Sequence, residues 1–207
     1  MPGVGAEARW LYSSTRRKLY GLIPDQLYLS WLFKRKMGYP LDWNNLQTFS
    51  EKIQWMKIHG ITPLHAQCSD KIRVRELVEE WGYGDLLIPT YFHTYSLEDI
   101  TPDRITAEKF VVKTNHDSGG VFFCRDRATF DWPALRRDLA FRLKNDHHMT
   151  TRARHYGPIR RGLIVQHLLK IPGGGVPADY KIFCFQGVPH VIQVDLGRFG
   201  EHRRAVM

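Results

Sequence analysis

The stretch Lys109 to Cys124, KFVVKTNHDSGGVFFC, constrains the fold of this chain more than any other segment. Two β-branched and aromatic runs, Val111-Val112 and Val121-Phe122-Phe123, flank a polar loop that ends in Gly119-Gly120. Such a pattern predicts a β-hairpin. Paired glycines let backbone N–H groups approach a ligand where a Cβ would obstruct, and such groups can cradle phosphate oxygens. Lys113, at the end of the first run, adds a point charge for the same anion. Taken alone, the segment is equally compatible with an ordinary turn, since glycine punctuates most loops.

The remaining chain has enough apolar material to bury a core around that hairpin. Its 207 residues are 43% hydrophobic, which suits one or two globular domains. No apolar run approaches the ~18 residues of a transmembrane helix. The N-terminus lacks the apolar core and cleavage site of a secretion signal, which points to a cytoplasmic chain. Three widely spaced cysteines without a Cys-x-x-Cys pair imply reduced, mostly buried thiols. The formal charge of +9 favours an anionic partner.

Periodicity predicts an N-terminal helical region. Residues 9 to 37 read as two helical segments broken near Gly21 and Pro24, with Leu27, Trp31 and Leu32 on one face and Gly38 as the stop. This basic, aromatic stripe can lie on an anionic membrane surface; packing against its own domain is the preferred reading. Thr48-Phe49-Ser50-Glu51 fits a capping box, followed by an apolar stripe of Phe49, Ile53 and Met56. A helix from about Ser69 to Trp81 would place Asp70 and Lys71 in its first turn. Asp70 suits that position and Lys71 opposes the helix dipole, which hints at another role for the lysine.

Further along, Leu86 to Ile88 reads as a short strand and Phe130 to Leu143 as a helix capped near Asp131. Arg142 to Arg161 shows no periodicity and reads as a flexible loop, with His147-His148 at the surface. Leu163 to Leu169 reads as a buried strand, and 172–175 as a mobile loop. Tyr180–Phe185 and Val188–Asp195 read as a hairpin across Gln186-Gly187. The period of two places Lys181 and Asp195 within reach of one site.

Common signatures are absent. There is no P-loop, and Gly82-Tyr83-Gly84 lacks the third glycine of a dinucleotide fingerprint. Asp117-Ser118-Gly119-Gly120 has no partner segment that would supply a protease base. The histidines show no zinc spacing. The basic clusters match no nucleic-acid module, so nucleic acid is not an expected partner.

The succession Ile-Pro-Asp (23–25), Thr-Phe-Ser-Glu-Lys-Ile-Gln-Trp (48–55), Asp-Lys (70–71), Phe-Val-Val-Lys-Thr-Asn-His-Asp-Ser-Gly-Gly (110–120), Asp-Tyr-Lys-Ile-Phe-Cys-Phe-Gln-Gly (179–187) and Gln-Val-Asp (193–195) resembles the TupA-like ATP-grasp family. The resemblance implies an α+β fold: an N-terminal helical region (1–85), a lobe with the hairpin (86–162) and an incomplete second lobe (163–207), with mainly antiparallel sheets. It also implies an ATP-dependent carboxylate–amine ligase of bacterial surface polysaccharide biosynthesis, of the teichuronopeptide type. The expected partners are ATP with Mg²⁺ and an acidic glycan or amino-acid-type substrate. The expected location is the cytoplasm, including the inner face of the membrane through the basic N-terminal helices.

By position, Lys113 and Lys71 resemble the family's phosphate-side lysines, and His116, Ser118, Gly119 and Gly120 its phosphate loop. Gln166 and Leu169 stand in the strand that contacts adenine, where Gln166-His167 replaces the usual Glu-Lys. Asp179, Lys181 and Arg198 would face the phosphate end or the acceptor, with Lys181 and Arg198 in catalytic roles. The family pattern continues with acidic and Asn/Thr ligands for Mg²⁺, and no such segment precedes Met207. The expectation is therefore a shortened ligase or one that has lost catalysis. The alternatives are a non-catalytic nucleotide-binding or assembly module, and a glycosyltransferase-type protein.

Overall fold

A computed structural model of the chain describes residues 21–169, 177–197 and 201–207. The chain divides into two compact units after Gln166. The expected helical segment over 9–20, the 172–175 loop and Arg198 lie outside the described residues.

The first unit begins with α1 (Asp25–Met37), which ends where Gly38 adopts a left-handed conformation (φ 84°) and its N–H caps the Lys34 carbonyl. The buried stripe of α1 is Tyr28, Leu29 and Phe33; Leu27 and Trp31 are exposed. The expected face is therefore displaced by about one residue. Asp25 explains this displacement, because it pairs with both Arg152 and Arg154 and so fixes the rotation of the helix. Arg152 also lies over the Tyr28 ring, 4.6 Å from its centroid.

Helix α2 (Phe49–His59) opens on the expected capping box. The Glu51 N–H donates to Thr48 Oγ1, and the Thr48 N–H donates to the Glu51 carboxylate at 2.7 Å. Its predicted apolar stripe is not a core face, since Phe49 and Met56 are exposed. The helix expected over 69–81 begins only at α4 (Arg73–Glu80), and a separate helix that was not expected, α3 (Pro63–Ser69), precedes it. Asp70 breaks them apart: it leaves helical geometry (φ −79°, ψ 111°), and its Oδ1 accepts the Ile72 N–H at 2.9 Å. Asp side chains that bond backbone two residues on make turns of this kind.

A four-stranded sheet follows, in the order β1 (Thr90–Thr94), β4 (Leu163–His167), β2 (Phe110–Thr114), β3 (Val121–Cys124). The pairs β1–β4 and β2–β3 are antiparallel, and Lys113 faces Val121 across the predicted hairpin. Leu86 ends a short 3₁₀ turn, and the first strand starts only at Thr90, beyond Pro89. Helix α5 (Trp132–Lys144) is capped by Asp131, whose Oδ1 accepts the Ala134 N–H at 2.9 Å. It buries Leu135 and Leu139 in a core with Phe110, Val112, Leu163 and Val165. Phe110 stacks on Trp132 at 5.6 Å and meets Phe130 edge-on at 5.4 Å.

Three sequence expectations fail here. Residues 142–161 are ordered into α6 (His147–Thr151) and a 3₁₀ turn (Arg154–Tyr156), with Arg152, Ala153 and Ile159 buried. His147 and His148 are half-buried rather than superficial. Of the three free cysteines only Cys124 is buried, because Cys68 and Cys184 face no core.

The second unit is a three-stranded antiparallel sheet, β5 (Asp179–Phe185), β6 (Val188–Leu196) and β7 (Arg203–Val206). Gln186 and Gly187 both have positive φ (52° and 81°), the geometry of a tight two-residue hairpin turn. The third strand, β7, escaped the sequence reading, because its run of Arg203-Arg204-Ala205-Val206 lacks an apolar alternation. Among the described residues no helix is long and apolar enough to cross a membrane.

Candidate functional site

The loop between β2 and β3 is a bonded turn rather than a free flap. Thr114 N–H donates to the Gly120 carbonyl at 3.0 Å, and Thr114 Oγ1 donates to Asp117 Oδ1. The other Asp117 oxygen pairs with Arg142 on α5 at 2.8 Å. Lys71 Nζ reaches across from the α3–α4 break and donates to the Asp117 carbonyl at 2.6 Å. The break at Asp70 is what brings this lysine to the hairpin; inside a continuous helix it would be held by helical geometry.

Asn115 fastens the base of the loop and is fully buried. Its Nδ2 donates to Asp70 Oδ1 and to the Arg160 carbonyl, both at 2.8 Å. Its Oδ1 accepts the Gly162 N–H at 2.6 Å. His116 points inward, with Nδ1 3.3 Å from Asn115 Oδ1 and Nε2 3.2 Å from the Arg142 carbonyl. A neutral ring donates through one nitrogen at a time. Both of its partners are acceptors that already take a backbone N–H, from Gly162 and from Asn145, so a neutral ring donates to only one of them. His116 thus shapes the loop from within and is not at its surface. Only Ser118 and Gly119 are exposed, at the tip, and their amides donate to no acceptor among the described residues.

A group of cations gathers around Lys71 at this hairpin. Lys113 is half-buried and has neither a hydrogen bond nor an ion pair among the described residues. Burial pushes its pKa down, and the nearby Arg75 guanidinium pushes it further. Lys71 is likewise lowered, chiefly by burial; Lys113 and Arg142 add to the lowering against the opposing pull of Asp117 and Asp70. Cations crowded together in partial desolvation favour an anion that can relieve both penalties. Arg75 and Arg142 were not singled out from sequence. Arg142 carried no signal, because its role depends on how α5 packs.

Burial also lowers the pKa of His116, His147 and His155. An unfolded chain binds protons on such rings near pH 6.5. The folded chain resists those protons, so protonation favours unfolding. Stability is therefore expected to be full above about pH 6.5 and to fall as the pH drops through the lowered values of the folded rings. Urea midpoints at pH 7.5 and 5.5 check this, and equal midpoints would contradict it.

In the second unit, Lys181 Nζ bridges Asp179 at 2.7 Å and Asp195 at 2.5 Å. Asp195 also receives Arg204 Nε at 2.7 Å and Gln193 Nε2 at 2.9 Å, and His202 Nε2 lies 3.1 Å from it. The Arg204 and Lys181 contacts hold its carboxyl far below the ordinary carboxylate range. Asp179, then Asp195, push the Lys181 pKa up. Lys181 and Asp195 do meet, as the strand period predicted, while Arg204 and His202 were missed with β7.

The expected Mg²⁺ does not fit this donor set. Asp179 and Asp195 are spanned by Lys181, and among the described residues no three His, Cys, Asp or Glu side chains are grouped to hold a metal. Gln166 is buried in β4 opposite Thr90, and Leu169 is exposed.

The structure thus joins an α+β architecture with antiparallel sheets to a glycine hairpin near several cations. The sequence model of one family, TupA-like ATPgrasp, matches residues 51–207. The chain belongs to the TupA-like ATP-grasp family, and an ATP-grasp-type function follows from that membership. No curated protein and no solved structure matches it.

Proposed function

We propose that the chain is an ATP-dependent carboxylate–amine ligase, or a descendant of one, in bacterial surface polysaccharide biosynthesis of the teichuronopeptide type. In that chemistry the γ-phosphoryl group of ATP moves to a carboxylate, giving an acyl phosphate and ADP. An amine then attacks the acyl carbon, phosphate leaves, and an amide forms. A migrating phosphoryl group spreads charge over its oxygens, so cations placed around it lower the barrier.

One observation carries the reading: Lys113 is a half-buried cation without a hydrogen-bond or ion-pair partner among the described residues, near Arg75 and Lys71. In this reading Lys113 and Lys71 hold the phosphates, while His116 and Gly120 keep the loop in shape. Gln166 and Leu169 serve adenine, and Asp179, Lys181 and Arg198 serve the acceptor. A cytoplasmic setting follows from the use of ATP.

Removing the unpaired lysine should cost at least about tenfold in ATP affinity, since 1.4 kcal/mol is a factor of ten and charge-assisted hydrogen bonds contribute 1.5–3 kcal/mol. Calorimetric titration of ATP into Lys113→Ala, with and without added Mg²⁺, measures this. Unchanged affinity would sink the proposal. The locking of Asp179 and Asp195 by Lys181 favours a second reading, a nucleotide-binding module without catalysis. ADP release in the presence of candidate carboxylates and amines separates the two.

A further inference from the structure

A cavity of about 550 Å³ opens in the first unit, lined in part by Asp70, Arg73, Tyr95, His155 and Arg160. Its size lies within the ~300–1,000 Å³ of small-molecule sites and far exceeds what an inorganic ion needs. The polar groups around it are incompletely satisfied, and they carry both signs.

Asp70 is only 4% exposed. Its Oδ1 accepts from the Ile72 amide and from Asn115 Nδ2, while Oδ2 has no donor among the described residues. Arg160 stacks on the Tyr95 ring at 3.9 Å, and its guanidinium N–H groups have no acceptor there. Stacking fixes the plane of the guanidinium and leaves its edge free for a carboxylate. The pair that Arg73 makes with Glu76 is an exposed i,i+3 contact, and such contacts yield readily. His155 Nδ1 is buried without a hydrogen-bond partner among the described residues. Ile61 and Pro158 contribute an apolar wall.

A simple anion placed here would meet the Asp70 carboxylate, and a simple amine would meet two arginines. Only a ligand that carries both charges satisfies the lining. We propose that this cavity binds a compact zwitterion of the α-amino-acid class, with its ammonium on Asp70 and its carboxylate on Arg160 and Arg73. The site is tied to the phosphate hairpin through the Asp70–Asn115 hydrogen bond. Assigning the bound molecule as the amine substrate rests on the ligase reading; the binding itself does not, because it is measured without ATP.

The test is calorimetry or ligand-observed NMR on the full chain with single L-amino acids. The best binder is then compared with its N-acetyl derivative, which lacks the ammonium, and its amide, which lacks the carboxylate. At least one amino acid should bind, and each derivative should lose tenfold or more. Arg160→Gln, at an exposed side chain, should lose tenfold or more as well. Asp70→Asn keeps an acceptor for Ile72 and Asn115 and should also abolish binding; if it fails to fold, Arg160→Gln and the two derivatives decide. Absence of binding by every amino acid overturns the proposal, as does retention of affinity by both derivatives or by Arg160→Gln. ATP affinity of Lys113→Ala reports separately on the ligase reading.

Discussion

Gly120→Ala is expected to destabilise the first unit by ~3 kcal/mol or more, the upper range for overpacking a well-filled site. A Cβ at position 120 would lie 1.8 Å from Thr114 Oγ1 and 2.6 Å from Asp117 Oδ1. Neither neighbour can retreat. Thr114 is fully buried, and Asp117 is held by both Thr114 and Arg142. At roughly 2–4 °C per kcal/mol for a chain of this size, the melting temperature should fall by about 6–12 °C. Gly119→Ala provides the contrast. Gly119 has φ of 89°, but a methyl group there would project into open space, so only the backbone penalty of ~1 kcal/mol applies. Thermal melts of the two variants distinguish crowding from backbone strain. Equal losses would show that the close approach at Gly120 is not what makes a glycine necessary there. If the hairpin holds phosphate, Gly120→Ala should also weaken ATP binding in whatever fraction remains folded.

The same contrast shows which parts of the site were legible in the sequence. Features written by local rules could be read directly. The hairpin over 110–124, the Thr48–Glu51 capping box and the β5–β6 turn all depend on residues within a few positions of one another. The meeting of Lys181 and Asp195 followed from the strand period alone. Features written by distant contacts could not. The late start of α4 is set at Asp70 by Asn115, 45 residues away, so periodicity places the helix start near Ser69 instead of Arg73. The segment 142–161 looked formless because its order comes from Arg152 and Arg154 closing onto Asp25, 129 residues away in the case of Arg154. Arg142 became part of the site only when α5 packed against the sheet. Family resemblance supplied Lys71 without its mechanism; the structure shows that the break, not a helix N-terminus, delivers it to Asp117.

Asn115→Leu should be the second severe lesion, costing ~3–5 kcal/mol. The substitution keeps the branched heavy-atom shape but exchanges a planar amide for a larger isobutyl group, so crowding adds to the polar loss. It leaves the buried Gly162 N–H without the oxygen that it meets at 2.6 Å. It also strips Asp70 Oδ1 of one of its two donors, and takes a donor from the Arg160 carbonyl. An unsatisfied buried group costs ~1–3 kcal/mol and a lost bond to a charged group ~1.5–3 kcal/mol, which together bracket that range. Urea unfolding followed by circular dichroism measures it; a loss below about 1 kcal/mol would mean that the Asn115 network contributes little. Asn115→Asp sharpens the test through pH. The new carboxylate would keep an acceptor for Gly162 but face Asp70 where an amide donor now lies. Two carboxylates in contact cannot both ionise cheaply, so the pKa of one must rise on folding. A raised carboxyl pKa destabilises at neutral pH and is relieved as the pH falls toward the raised value. Asn115→Asp should therefore lose the most stability near pH 7 and recover part of it near pH 5, opposite in sign to the wild-type acid loss expected from His116, His147 and His155. Asn115→Leu adds no titrating group and should keep the wild-type slope. A variant pair that shared one pH profile would place the Asn115 amide away from the Asp70 charge.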